Sequence, residues 1–199
     1  MPTARLAEFH ANATRARDLV GLGQSIGQLT YGRVDASDLY RAALVQVVAA
    51  LDTYIHAIVE DRAVAIVVGR SMAPAPGPKF GLTPSAVADI LSGGSPGLVE
   101  LTARKHIAQR LALETFQRPD DIAAALASVG INKIWSVAFP DPQAAKIRLG
   151  LIVTRRNLIA HQCDVDPLIP GSVILLTDGD AVDAITTVVA TVTTIDQFC

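Results

Sequence analysis

The feature that most limits the fold is the spacing of apolar residues between Ser37 and Val68. Leu44, Val47, Val48, Leu51, Ile55, Ile58, Val59 and Ile66 recur at intervals of three and four. That period puts them on one face of an α-helix, whereas a strand would alternate in twos. A helix with so long an apolar face must be covered by several others. The same test settles the most ambiguous stretch, near Cys199. Thr, Val and Ile there favour strands by propensity. Yet Ile185, Val188, Val189, Val192 and Ile195 form a helical stripe, and alternation fails at Thr186-Thr187 and Val188-Val189.

Start and stop signals divide the rest into helices. Residues Thr3 to Leu29 read as a helix weakened by Gly21, Gly23 and Gly27, followed by a turn from Tyr31 to Asp35. Ser37 is the expected N-cap of the long helix. From Gly69 to Gly97 lie five of the eleven prolines and six of the fourteen glycines, an excursion between central helices. It holds one short helix, with Thr83 as N-cap and Pro84 at the first position, ending near Ser92. Ser95-Pro96 repeats that signal for a helix reaching about Phe116. Pro119 opens another, stopped by Gly130. One or two turns around Trp135 follow, then a helix from Pro142 to about Gln162 and a loop from Asp164 to Gly171. The expected fold is all-α: one compact helical bundle over residues 1–199.

Composition narrows the function. The chain is 50% hydrophobic and 18% charged, which excludes disorder, and its formal charge of −2 gives no global field for a long nucleic acid. Two cysteines cannot build a disulfide framework or a four-thiolate metal site. Arg5, Glu8, Arg15, Arg17 and Asp18 interrupt any signal-peptide run. Asp52, His56, Glu60, Asp61 and Arg62 interrupt the longest apolar region, so no membrane partner and a cytoplasmic location are expected. There is no phosphate loop, paired-His zinc motif or nucleophile elbow. Asp52 and His56, four apart, suit a local pair.

Charge is uneven, however. Pro142 to Cys163 carries Lys146, Arg148, Arg155 and Arg156 without an acid, and after Arg156 there are acids but no Lys or Arg. A solvated helix end accounts for this, since Arg and His in a last turn complement the helix dipole. Two features favour more. Ile147, Leu151, Thr154 and Leu158 make one stripe, expected on the core, and Ile152 and Ile159 a second, which needs a different neighbour such as another subunit. Arg156 sits on the second stripe, where a guanidinium wants an anion. Arg156 and His161 are five residues apart, about 140° around an ideal helix. The pair therefore works by reaching round the helix, by a loosened last turn, or across a two-fold axis.

The segment Arg156-Asn157-x-x-x-His161 near a helix end resembles the signature of HEPN domains. Leu39-Tyr40-Arg41-Ala42-Ala43, Ala50-Leu51-Asp52-Thr53-Tyr54-Ile55-His56, Thr115-Phe116-Gln117-Arg118-Pro119 and Gly130-Ile131-Asn132-Lys133-Ile134-Trp135 resemble its RiboL-PSP-HEPN subgroup. The resemblance implies a helical domain that dimerises with the Arg and His motifs of both copies facing one groove. It implies a metal-independent endoribonuclease without cofactor, often a toxin paired with an antitoxin protein or a phage-defence effector. Some relatives are inactive binding modules. On this reading Arg156, Asn157 and His161 are catalytic and Arg155 binds RNA. Asp52 and Tyr54 support the site or, alternatively, only pair helices. An ordinary dimerisation domain with a structural Arg and His is the third possibility.

Overall fold

The computed structural model describes residues 3–74, 81–166, 168–169 and 171–199. Among these are eight helices and no strand: α1 (Ala4–Leu29), α2 (Ser37–Val67), α3 (Pro84–Leu91), α4 (Pro96–Leu111), α5 (Pro119–Ser128), α6 (Ile134–Ala138), α7 (Pro142–Gln162) and α8 (Asp178–Asp196). The all-α expectation holds. Residues 75–80 of the Pro/Gly-rich excursion, and 167 and 170 of the loop after α7, lie outside the described residues.

Local chemistry explains most of the boundaries. Thr3, Thr83, Ser95 and Asp141 accept bonds from the first turns of α1, α3, α4 and α7, and proline opens α3, α4, α5 and α7. Thr177 and Asp180 form a reciprocal capping box at α8. Gly130, at φ +92°, lets the Gly130 and Ile131 amides bond back to Ala127 and Leu126 and so ends α5. Gly23 has a packing reason, because a Cβ there would stand 2.6 Å from the Tyr40 ring.

α2 is the axis of the bundle, and α1, α4, α5, α7 and α8 all pack on it. Its apolar face is sealed: Val47, Val48, Leu51, Ile55 and Val59 have no exposed surface. Phe9 covers it from α1, Ile107 from α4, Leu126 from α5, Leu149 from α7 and Ile185 from α8. Among the described residues α2 is also the one helix long and apolar enough to cross a membrane, and 56% of that stretch is buried inside the bundle.

Three expectations are corrected. Ala36, not Ser37, is the N-cap of α2; Asp35 accepts the Ser37 amide, and the Ser37 hydroxyl accepts from Arg41. α4 ends at Leu111 rather than near Phe116, because the Phe116 amide bonds the Asp52 carboxylate and its ring turns into the core. The two stripes of α7 exchange roles. Ile152 and Ile159 pack on the core beside buried Leu149 and Val153, which widen that face, while Ile147 and Leu151 stand in solvent.

An ion network ties α1, α2 and α4. Asp61 accepts from Arg5 at 2.8 Å and from Arg104 at 2.8 Å, and Glu60 shares Arg104. Burial pushes the Asp61 carboxyl up, but the Arg5 and Arg104 bonds outweigh it and hold it below its ordinary range. A carboxyl depressed in this way stabilises the fold above its unfolded pKa of about 3.9, and that stabilisation fades as pH falls through the lower folded value. Asp61→Asn is therefore expected to flatten the loss of stability below about pH 4. Urea titrations across that range check it, and an unchanged slope would refute the assignment. In the core, Leu51→Ala is expected to cost about 2–5 kcal/mol, read from the urea midpoint.

Candidate functional site

The site predicted from sequence lies on the last two turns of α7. Twelve residues lie between the Asp141 cap and Thr154, and α7 packs on α2, α5, α6 and α8. Past that point the helix runs out beside the start of α2. It stops at Cys163 and Asp164, both left-handed at φ +52° and +56°, where the Asp164 amide bonds the Leu158 carbonyl. Two successive non-glycine residues in that region are uncommon, and an interaction must hold them there.

That interaction is a buried ion cluster. Asp164 is 1% exposed. Its Oδ2 accepts from Arg41 Nε at 2.9 Å and from Arg155 Nη2 at 2.8 Å. Both guanidiniums also donate to the Ile174 carbonyl, at 2.8 Å and 3.0 Å, and Arg155 reaches Leu175 at 3.3 Å. Asp38 and Ser37 take the remaining Arg41 nitrogen. The cluster thus pins the start of α2, the end of α7 and the lead into α8 to one carboxylate. Asp164 Oδ1 and Arg155 Nε stay buried without a partner among the described residues.

Each predicted residue can now be placed. His161 is exposed on the final turn and has no hydrogen bond to a described residue. Arg156 is half-buried on the core side of α7, and its Nη1 donates to Asn157 Oδ1 at 3.0 Å. Asn157 therefore orients the arginine, not His161. Arg156 Nε is sealed without a partner among the described residues. Within one chain Arg156 and His161 remain on different sides of a regular helix, about 140° apart. The helix does not loosen before Gln162.

The remaining candidates hold other parts of the bundle. Arg155, expected on RNA, is spent on Asp164 and two carbonyls. Asp52 takes the Phe116 amide at 2.6 Å and Gln117 Nε2 at 3.4 Å, fixing the α4–α5 connection. His56 lies beside it, 3.6 Å from Asp52 Oδ1 and with its ring tilted against Phe116. Tyr54 faces the other way. It is buried, edge-on to Phe9, and donates to Asp196 Oδ1 at 2.8 Å. Burial, then the neighbouring Cys199 and Asp196, pushes its hydroxyl far above the ordinary tyrosine value. Neither Asp52 nor Tyr54 bonds any residue of the motif.

Arg41 and Asp164 are the residues that sequence reasoning missed. They are 123 positions apart, and only an acid placed just after a pair of arginines hinted at a partner. Cavities flank the cluster. One of about 450 Å³ lies between α2 and α7 beside Arg41, Ile159 and Cys163; one of about 410 Å³ lies between α7 and α8 over Leu151 and Leu175. Neither is lined by Arg156 or His161. No group of three His, Cys, Asp or Glu among the described residues is placed to hold a metal ion.

Set against protein-family models, curated proteins and solved structures, the chain matches none of them. The geometry carries its own expectation. Asp164→Ala leaves two guanidiniums buried without their carboxylate and is expected to cost about 3–5 kcal/mol. Urea unfolding measures the loss, and faster amide exchange over Leu158–Gln162 would show that the cluster holds the end of α7.

Proposed function

We propose that the chain is a HEPN-type endoribonuclease, cleaving RNA without a metal as a homodimer and acting as a toxin or phage-defence effector in the cytoplasm. The observation that carries this reading is His161, an exposed and unpartnered imidazole on the same helix end as an arginine held by a neighbouring asparagine. RNA supplies its own nucleophile. An imidazole exchanges protons near neutral pH, so His161 removes the 2′-hydroxyl proton or protonates the leaving 5′-oxygen. The 2′-oxygen attacks phosphorus and the bond to the 5′-oxygen breaks. The products are a 2′,3′-cyclic phosphate and a 5′-hydroxyl. Arg156 holds the phosphate and offsets the charge that builds on it.

The separation of the two side chains around α7 favours the two-fold arrangement, in which one copy lends its arginine and the other its histidine. Exposed Leu151 and Leu175, over the cavity between α7 and α8, supply apolar surface for that second copy. An antitoxin protein would act by covering the same helix end.

A second reading has an observation of its own. Arg156 Nε is sealed and Arg155 is consumed inside the chain, which suits a silent helical module that binds RNA, nucleotide or protein. Cleavage separates the two. His161→Ala is expected to lower cleavage of a single-stranded RNA by about 10²–10⁴-fold, and Arg156→Ala by about 10²–10³-fold, with circular dichroism unchanged. The all-deoxy strand should resist. Growth arrest on expression that survives both substitutions would refute the nuclease reading, as would a locked monomer cleaving at full rate for the dimeric arrangement.

A further inference from the structure

His161 shares its side of α7 with a line of residues that the bundle does not use. Around an ideal helix Gln143, Ile147, Gly150, Thr154 and Asn157 all fall within about 40° of its direction. Most of that line forms one wall of a trough of about 500 Å³ between α7 and the start of α5. Thr154 is seven residues, about 10 Å along the axis, from His161. The opposite wall carries Arg118 and Asp121. It is rigid, because the Trp135 indole donates to the Pro119 carbonyl at 2.8 Å.

Gly150 is the telling residue. Glycine in the middle of a helix costs about 1 kcal/mol relative to alanine. Nothing among the described residues requires it, since a Cβ there would meet none of their atoms within 4 Å. A mid-helix glycine facing empty space fits a partner that comes close to the backbone. The trough indicates what kind. Its flank is half-exposed Ile147, an apolar contact suited to the face of a flat ring. Lys146 and Asp120 neutralise each other at 2.7 Å. Arg118 and Asp121 are left exposed, with no ion pair to a described residue.

We propose that this trough is a subsite for an unstacked guanine base, next to the scissile phosphate of the substrate; the inference rests on the ribonuclease reading. Guanine presents acceptors at O6 and N7, which suit a guanidinium such as Arg118. It also presents adjacent N–H donors at N1 and N2, which suit the Asp121 carboxylate. Thr154 and Gln143 add neutral hydrogen bonds along the strand. Sequence-specific RNA recognition targets unpaired bases splayed into such pockets.

The test measures binding of guanosine 3′-monophosphate to the full chain, against the adenosine, cytidine and uridine equivalents. A preference of about tenfold or more for guanosine is expected from one bidentate contact. Asp121→Asn should remove that preference, and Gly150→Phe should abolish binding by filling the trough. Gly150→Ala, which adds a methyl to open space, should bind like the parent chain. Equal binding of the four nucleotides, binding of none, or binding unchanged in both Asp121→Asn and Gly150→Phe would overturn the proposal. So would a Gly150→Phe effect confined to the oligomeric state in light scattering, since the face would then be a contact between copies. Guanosine binding without any RNA cleavage would sink the nuclease reading alone and leave the trough as the base pocket of a binding module.

Discussion

One carboxylate decides how this bundle ends. Asp164 draws Arg41 and Arg155 onto a single oxygen, and through them the first turn of α2, the last turns of α7 and the segment leading into α8. Buried ion clusters are weak evidence for stability as such, because desolvation opposes the attraction. Their better-attested effect is to fix register. Here the register is that of the last turns of α7, where Ile159 still packs on the core. Two consecutive left-handed residues are tolerated because the carboxylate they deliver is held on arrival.

That clamp divides the labour of α7. The side holding Leu149, Ile152, Val153 and Ile159 is committed to the core. The opposite side keeps Ile147, Gly150, Thr154 and His161 in or near solvent. Arg156 belongs to the first side and His161 to the second. The two groups that proton transfer and phosphate binding call for are therefore presented on separate surfaces of one rigid rod. A single copy lacks a common focus for them, and a two-fold partner is the simplest way to bring one of each together. The same division explains why Asn157 serves Arg156, its immediate neighbour, although it lies angularly closer to His161.

How much of this the sequence discloses depends on the range of the interactions involved. Helix starts at Thr3, Thr83, Ser95, Pro119 and Pro142 were legible because caps and prolines act over a few residues. α8 was legible because its stripe is unbroken, despite strand-favouring residues. The end of α4 was not, because Asp52, more than sixty residues away, captures the Phe116 amide. Nor was the orientation of α7. Its two stripes are locally equivalent, and only the surrounding helices choose between them. The motif itself was visible as a run of residue types, but the fate of Arg155 was not, since Asp164 competes with any phosphate for it.

The same competition bears on affinity. Of the cations on α7, Arg155 is neutralised by Asp164 and Lys146 by Asp120. Arg148 and Arg156 remain. A surface with so few free charges gains little from counterion release, the term that dominates non-specific binding of polyanions. If RNA is the substrate, discrimination would then come from shape and hydrogen bonding at a short stretch of strand. A trough whose charges balance would suit that better than a basic groove, because an excess of cations would hold every RNA alike. On the nuclease reading, the low net charge of the chain and the internal consumption of its arginines would favour selectivity over bulk affinity.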